Sequence, residues 1–275
     1  MRPAGPDSAM AAASARPSEV DEARASRDIL GIRVDATDYA AATACIVGWS
    51  RNEVGRWVCI ANVHTTMEAW DDPGFRHQVN QADLVTPDGM PLVWALRKLG
   101  VREASRVYGP TLTLHLCERA ARDGVPVGFY GGSAEAIGRL VPNLVARFPD
   151  LRVVFAESPP FRPLTAEEDE RAVERIRASG ARLLFVGLGC PKQERWMATH
   201  RQRLPLVQIG VGAAFDFHAG LVRQAPPALQ RMGLEWAFRL AMEPRRLAGR
   251  YSRHNPRFVW QLLRQLRRPE HLGPT

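Results

Sequence analysis

The sequence predicts an α/β protein built around a mostly parallel, doubly wound, Rossmann-like sheet. Short apolar runs of strand length alternate with helical segments of about a dozen residues, as they do in βαβ units. Several of these runs lead directly into turns rich in glycine and proline, which commonly connect a strand to the next helix. Residues 241–275 are basic and contain aromatic side chains. They predict a basic amphipathic helical appendage at the C-terminal end of the sheet domain.

The N-terminal residues differ in composition from the rest of the chain. Residues 1–27 are rich in alanine, proline, serine and arginine and have no apolar periodicity. We therefore expect them to be disordered, and we expect the α/β domain to cover residues 28–240. Within this domain, residues 38–49 predict a first helix and residues 57–60 predict a short strand.

Residues 84–100 place an acidic side chain between a strand and a helix. An apolar run ends at Val85, Pro91 suits the first turn of a helix, and Gly100 would end that helix. Asp88 lies between the two elements, where open α/β sheets bind their ligands. Two interpretations follow: Asp88 caps the helix, or it is a catalytic carboxylate.

The later elements are marked by residues that begin or end helices. A helix is predicted from Pro110 to Gly124, Ser133 is suited to cap the next one, and Thr165 with Glu168 forms a capping box for a third. Strands are predicted between these helices, over residues 125–130 and 151–155, and after them, over residues 183–186 and 206–209.

Two predicted strands end in Gly-x-Gly, at residues 187–189 and 210–212. Glycine there lets the backbone approach a ligand, and the N-terminus of a following helix favours a phosphate group. Neither motif completes Gly-x-Gly-x-x-Gly, and no Walker sequence occurs. The glycines therefore indicate either tight turns or a site for a nucleotide diphosphate.

Polar residues follow both motifs. Lys192 and Glu194 are expected in a solvated first helical turn. Gln193 can donate and accept hydrogen bonds at once, which suits a sugar hydroxyl or the edge of a uracil ring. Asp216 is either a structural carboxylate or a ligand contact, because a buried carboxylate needs partners.

The sequence has no pattern typical of a metal site, a disulfide framework or a serine hydrolase. The four cysteines are widely spaced, and the seven histidines are scattered. His64 and His218 are interpreted as structural or rim residues instead of metal ligands. No Gly-x-Ser-x-Gly elbow occurs. Without an apolar run of membrane-spanning length or a signal-peptide core, we expect a cytoplasmic protein.

The net charge of +8 is concentrated in the C-terminal region. Residues 245–275 contain eight arginines and one acidic residue, Glu270, so the rest of the chain is nearly neutral. A local basic segment indicates an anionic partner such as a nucleic acid, an anionic membrane or a diphosphate. The arginines alternate with apolar and aromatic residues. This pattern predicts a helix lying in a membrane interface, a helix docked on the domain with a solvated arginine face, or one of these in each part of the segment.

Taken together, these segments resemble the WecG/TagA/CpsF glycosyltransferases, glycosyltransferase family 26. The resemblance covers about residues 28–260, and the matching motifs follow the family order. They are Asn62-Val63-His64, Thr86-Pro87-Asp88-Gly89-Met90, Arg106-Val107-Tyr108-Gly109-Pro110, Phe129-Tyr130-Gly131-Gly132, residues 187–194, residues 210–216, Leu234-Glu235-Trp236 and Glu243-Pro244-Arg245-Arg246.

The resemblance implies an inverting transfer of a sugar from a UDP-sugar to a polyprenyl-diphosphate-linked acceptor at the cytoplasmic face of the membrane. It makes Asp88 the general base. It also implies that Arg106 and Gln193 contact the substrate and that the C-terminal arginines close over the diphosphate. The substrate-binding set expected from the motifs is Asn62, Thr86, Arg106, Tyr108, Gly131, Gly187, Gly189, Gln193, Gly212, Asp216, Arg245, Arg246 and Arg250.

The residue types agree with that chemistry. An inverting displacement needs a carboxylate to take the proton of the acceptor hydroxyl and needs cations or N–H donors to stabilise the departing diphosphate. Because no Asp-x-Asp triplet occurs, we expect arginines and helix N-termini to replace a divalent metal, and we expect no cofactor. One departure is Ile60, which stands where many family members have threonine. It puts one polar sugar contact in question.

Other functions and several details stay open. The basic tail would also suit a nucleic-acid-binding protein, and the glycine motifs would suit a nicotinamide-dependent oxidoreductase. Under the family interpretation, the donor could carry N-acetylmannosamine, a uronic acid or a hexose. The rigid loop at residues 158–163 and Ile60 favour exopolysaccharide synthesis over teichoic-acid synthesis. The acceptor and the oligomeric state are not determined.

Overall fold

The computed structural model describes residues 24–267, apart from the side chains of Pro227 and Arg231. Residues 1–23 and 268–275, which belong to the predicted N-terminal segment and to the end of the predicted appendage, lie outside the described residues.

The described residues form a six-stranded sheet and a small hairpin. The sheet order is β4-β3-β8-β7-β5-β6, and every neighbouring pair is parallel. The strands are β1 Ser26–Ile29, β2 Ile32–Asp35, β3 Arg56–Ala61, β4 Leu84–Pro87, β5 Val127–Gly131, β6 Val153–Glu157, β7 Leu183–Gly187 and β8 Val207–Gly210. The prediction of a mostly parallel, Rossmann-like sheet is confirmed.

Helices connect the strands and follow the last one. They are α1 Tyr39–Trp49, α2 Val63–Asp71, α3 Pro73–Asn80, α4 Met90–Lys98, α5 Gly109–Asp123, α6 Ala134–Arg147, α7 Ala166–Ala178, α8 Lys192–His200, α9 Ala214–His218, α10 Pro227–Arg231, α11 Glu235–Met242 and α12 Pro244–Leu266. The predicted caps are confirmed: the Ser133 side chain accepts from Ala136 N–H, and Thr165 with Glu168 forms a capping box.

Helices cover both faces of the sheet, so the strands are buried on both sides and separate two apolar cores. Along β3, the side chains of Trp57, Cys59 and Ala61 belong to one core, whereas those of Val58 and Ile60 belong to the other. This alternation is the period of two that a strand imposes on its side chains. Full burial of one such aliphatic or aromatic side chain contributes roughly 1.5–3 kcal/mol, which holds the helices on the sheet.

The antiparallel hairpin of β1 and β2 begins ahead of the predicted domain start at residue 28. Ser26 pairs with Asp35, and Arg27 Nε donates to the carbonyl oxygen of Leu99 at 2.8 Å. Residues 26 and 27 are therefore ordered. Composition alone assigned them to the disordered segment because their packing partners are distant in sequence.

Helix α12, the predicted C-terminal helical appendage, packs on the domain. Its side chains at Leu247, His254, Phe258 and Gln265 are buried and share one face. Gln265 ties this helix to the hairpin: its Oε1 accepts from Leu30 N–H at 3.0 Å and its Nε2 donates to the Asp28 carbonyl at 2.7 Å. The buried face therefore matches the docked interpretation of the basic segment.

The opposite face of α12 remains exposed and apolar in its second half. Val259, Trp260 and Leu263 are among the most exposed large apolar side chains of the described residues. Among those residues, no helix is both long enough and apolar enough to cross a bilayer.

Candidate active site

A cavity of about 580 Å³ lies at the carboxyl ends of β3, β4, β7 and β8 and is covered by α11 and α12. We call it the cleft. This is the edge at which parallel α/β sheets bind ligands. The following predicted site residues line it: Asn62, Asp88, Arg106, Tyr108, Gly189, Gln193, Gly212, Arg246 and Arg250.

Asp88 follows β4 directly, and its N–H donates to the Ala61 carbonyl at 2.8 Å. It does not cap the helix that follows, because the N-cap of α4 is Gly89. Its Oδ1 instead accepts from Gly109 N–H at 3.3 Å, at the start of α5. The cap interpretation for α4 is therefore wrong, and the carboxylate faces the cleft from the positive end of a different helix.

The Asp88 side chain is only 18% exposed. This burial raises the pKa of Asp88 to about 6, while Arg106 lowers it and Glu235 raises it further. A carboxylate whose pKa lies near 6 is ionised at neutral pH and still accepts a proton readily, which suits a general base.

Arg106 is fixed on several sides. Its Nη2 lies 2.6 Å from Glu235 Oε2 and 3.7 Å from Asp88 Oδ1, and its Nε donates to the Asp88 carbonyl oxygen. The guanidinium also lies over the Tyr108 ring, 4.2 Å from the centroid. The arginine therefore presents a fixed cation beside the carboxylate of Asp88.

Gln193 and Glu194 form a buried pair at the start of α8. Gln193 Oε1 accepts from Gly189 N–H at 3.2 Å, and its Nε2 donates to Glu194 Oε1 at 2.9 Å. Burial raises the pKa of Glu194, which is fully buried. The expectation of a solvated Glu194 is wrong, whereas Lys192 is exposed as expected. Glu194 thus fixes the orientation of the Gln193 amide at the cleft wall.

Two of the predicted ligand glycines serve strand packing instead of lining the cleft. A Cβ added to Gly131 would lie 2.5 Å from the Gly187 carbonyl carbon, and one added to Gly187 would lie 2.6 Å from the Phe215 ring. β5 and β7 therefore approach so closely, with a ring packed above them, that only glycine fits.

Three further predicted contacts lie outside the cleft lining. Thr86 is fully buried within β4, where its side chain faces the protein interior. Asp216 is half-buried on α9. Burial raises the pKa of its carboxyl group, and the positive charge of Arg246 partly offsets this by lowering it. Arg245 is exposed on α12. Asp216 and Arg245 each neighbour a cleft residue in sequence, and Thr86 lies two residues before Asp88, but none of the three lines the cleft.

Asn62 and Ile60 lie at the end of β3 and line the cleft. Asn62 Oδ1 accepts from Thr65 N–H at 3.2 Å and so caps α2. Its amide nitrogen has no hydrogen bond to another described residue. Ile60 makes this part of the cleft wall apolar, where a threonine would offer a hydroxyl group.

The C-terminal helices contribute residues that the sequence analysis did not assign to the site. Glu235, Trp236 and Arg239 of α11 and His254 of α12 line the cleft. Glu235 and Trp236 were visible in a matching motif, but only the folding back of α11 shows that Glu235 reaches Arg106. Apolar side chains extend the cleft towards solvent; these are Met90, Trp94, Trp236, Val259, Leu262 and Leu263.

The cations that line the cleft from α12 differ in their partners. Arg246 pairs with Glu243. Arg250 has no salt bridge to any described residue, and its charge contributes to lowering the pKa of His64. Among the cleft arginines of α12, Arg250 is therefore available to an anionic ligand.

His64 and His254 meet beside Glu68 at the edge of the cleft. His64 Nδ1 and His254 Nε2 each lie 3.6 Å from Glu68 Oε1. Burial lowers the pKa of His64 to about 4, with contributions from Arg250 and His254. The interpretation of His64 as a rim residue agrees with its half-buried position, and the cluster is also a set of atoms that could hold a metal ion.

The cleft thus combines a carboxylate poised to accept a proton, cations from α12, a polar wall near Gln193 and an apolar mouth. A model of the Glycosyl transferase WecG/TagA/CpsF family matches residues 27–272. Members are glycosyltransferases of cell-surface polysaccharide synthesis, with a sugar-nucleotide donor and a lipid-linked acceptor. Because the match covers almost the whole chain, the protein belongs to the glycosyl transferase WecG/TagA/CpsF family.

Proposed function

We propose that this glycosyltransferase inverts the anomeric centre while moving a sugar from a UDP-sugar to a polyprenyl-diphosphate-linked acceptor in exopolysaccharide or other surface-polysaccharide synthesis. The observation that carries the proposal is the position of Asp88. Its carboxylate lies in the cleft beside Arg106 and has a pKa of about 6. It does not cap α4.

In the proposed reaction, an Asp88 oxygen takes the proton of the acceptor hydroxyl. The hydroxyl oxygen forms a bond to the anomeric carbon from the face opposite the nucleotide. The bond between that carbon and the diphosphate oxygen breaks, and UDP leaves with the electron pair. A single displacement of this kind inverts the anomeric configuration, and it needs one base and no covalent enzyme intermediate.

The departing diphosphate gains negative charge, which cations or N–H groups must stabilise. Arg250 and Arg246 line the cleft from α12, and the turn at Gly189 leads into the N-terminus of α8. These groups support a reaction that does not depend on magnesium or manganese. Gln193, whose amide is fixed by Glu194 and Gly189, is suited to a sugar hydroxyl or the uracil edge.

The acceptor would enter from the apolar mouth. Trp94 and Trp236 line the cleft and are substantially exposed, as are Val259 and Leu263 on α12. Apolar side chains beside arginines suit the interface of an anionic membrane, where the lipid-linked acceptor resides. The proposal therefore places the enzyme peripherally on the inner face of the cytoplasmic membrane.

The testing experiment measures transfer from a panel of UDP-sugars to membrane lipid extract and compares the wild type with Asp88→Asn. The panel contains UDP-N-acetylmannosamine, a UDP-linked uronic acid and UDP-linked hexoses. Asp150→Asn is the matched control, because Asp150 is an exposed carboxylate ahead of β6 and outside the cleft lining. Turnover with one donor that is lost in Asp88→Asn, kept in Asp150→Asn and accompanied by intact donor binding supports the proposal. Turnover that survives in Asp88→Asn contradicts the assignment of the base.

A further inference from the structure

The cluster of His64, Glu68 and His254 has the geometry of a metal site. His64 and Glu68 are four residues apart on α2 and therefore share one helix face, and His254 reaches them from α12. One donor atom from each residue lies within 4.8 Å of the others. The two separations of 3.6 Å from Glu68 Oε1 are close to the roughly 3.4 Å expected between two ligands about 2.1 Å from one tetrahedral metal.

The donor atom of His64 is also free of competing partners. The Nδ1 atom of His64 is buried and makes no hydrogen bond to any described residue. The Cys190 backbone lies beside the His64 ring as an acceptor. In metal-binding histidines, a backbone acceptor for one ring nitrogen commonly orients the other towards the metal.

The local charges also leave Glu68 in need of a cation. Its ion-pair partners within the described chain are the two imidazoles, and no lysine or arginine there lies within salt-bridge distance. The nearby Arg253 and Arg257 both pair with Asp71 instead. A cation between the imidazoles would therefore meet a carboxylate that no arginine has already neutralised.

We propose that His64, Glu68 and His254 bind one transition-metal ion of the Zn²⁺ class, which joins α2 to α12 beside the cleft. Two imidazoles and one carboxylate form a ligand set that suits Zn²⁺ and not Mg²⁺, which prefers oxygen ligands. His64 and His254 line the cleft, whereas Glu68 does not. The metal ion therefore faces the cleft, where water or a ligand completes its coordination. This metal would have no part in stabilising the departing diphosphate, which we assign to the arginines and N–H groups of the cleft.

The test measures Zn²⁺ binding to tag-free, full-length protein after chelator treatment and dialysis, by isothermal titration calorimetry and elemental analysis. The variants are His254→Ala and Glu68→Gln, the second of which preserves shape at a part-exposed position. His77→Ala is the matched control, because His77 is an exposed histidine on α3. Co²⁺ loading adds a spectroscopic readout, since a four-coordinate site gives strong visible absorption.

We expect the wild type and His77→Ala to bind about one equivalent of Zn²⁺. We expect Glu68→Gln and His254→Ala to lose affinity by at least the roughly 10–100-fold that follows removal of an outer partner of a metal ligand. Wild-type binding far below one equivalent would overturn the proposal. So would Glu68→Gln binding as tightly as the wild type, whatever the folding of His254→Ala.

Discussion

Arg106 Nη2 lies 2.6 Å from Glu235 Oε2, so the first residue of α11 holds the arginine that neighbours Asp88. The same nitrogen is 3.7 Å from Asp88 Oδ1. Glu235 thus makes the closer contact with Arg106, and the negative charge of Asp88 is only partly neutralised. Together with burial, this division explains why the pKa of Asp88 is raised although an arginine lies beside it.

Replacing Asp88 by Asn should lower kcat by about 10²–10⁴-fold, the range typical of a lost general base. Donor affinity should change little, because the amide keeps the shape of the carboxyl group. Steady-state transfer kinetics and UDP-sugar titration measure the two quantities. An equal loss in Asp150→Asn would show that the effect is not specific to the cleft.

The Glu235→Gln variant should shift the acidic limb of the pH profile of kcat/KM to lower pH. Loss of the carboxylate removes a negative charge that raises the pKa of Asp88 and releases Arg106 to pair with it. Because the base acts in its ionised form, a lower pKa keeps it active at lower pH. A shift of the limb to higher pH would contradict the division of Arg106 between the two carboxylates.

Arg106→Gln should move the same limb in the opposite direction. Arg106 is the largest influence that lowers the pKa of Asp88, so its loss leaves a carboxylate that ionises only at higher pH. Arg106→Lys keeps the positive charge and should move the limb less. The profiles of both variants, measured with one donor, check this order.

Asp88→Asn should also stabilise the fold at neutral pH. The carboxyl pKa rises from an ordinary value of 3.8 to about 6 on folding, so its ionisation opposes folding as the pH rises through this window. Two units of pKa correspond to about 2–3 kcal/mol at pH 7. In urea unfolding, the free energy of unfolding of Asp88→Asn should therefore exceed that of the wild type. The difference should grow between about pH 4 and 6 and then stay constant. A stability difference independent of pH would contradict the raised pKa.

The double variant Trp260→Ser and Leu263→Ser should weaken binding to anionic vesicles roughly 10–100-fold. Full burial of such a side chain contributes on the order of 1.5–3 kcal/mol, and each of these two has only about half of its area left to bury in the membrane. Their exposures of 59% and 46% predict an unchanged fold. Val54→Ser, at a position 49% exposed outside the cleft lining, is the control. Vesicle co-sedimentation measures the effect, and equal weakening in both variants would contradict a specific α12 interface.

The sheet and the position of Asp88 could be predicted because both depend on local patterns. Apolar runs followed by glycine or proline mark the strands of a parallel sheet, and their carboxyl ends meet at one edge. Helices α2 and α3 were not predicted, because residues 63–80 contain few large apolar residues and each helix is short. The side chains of Asn62 and Asp72 cap them through local hydrogen bonds.

The rest of the site depends on contacts between distant segments. Glu235 reaches Arg106 from 129 positions further along the chain, and His254 reaches Glu68 from α12. Glutamate side chains are usually exposed to solvent, yet Glu194 is buried because the Gln193 amide donates a hydrogen bond to its carboxylate. Gly131 and Gly187 match a ligand motif, but the spacing between β5 and β7 determines their role.

The placement of α12 over the cleft has a consequence for how the protein is made. Every strand of the sheet precedes α11 in the chain, whereas the helices that cover the cleft are synthesised after β8. A nascent chain can complete its sheet while the edge that forms the cleft is still uncovered. The cleft is then completed late, when α12 docks on α2 and Gln265 bonds to the hairpin of β1 and β2. A chain that terminates before residue 244 would contain every strand of the sheet but would lack Arg246 and Arg250, which line the cleft.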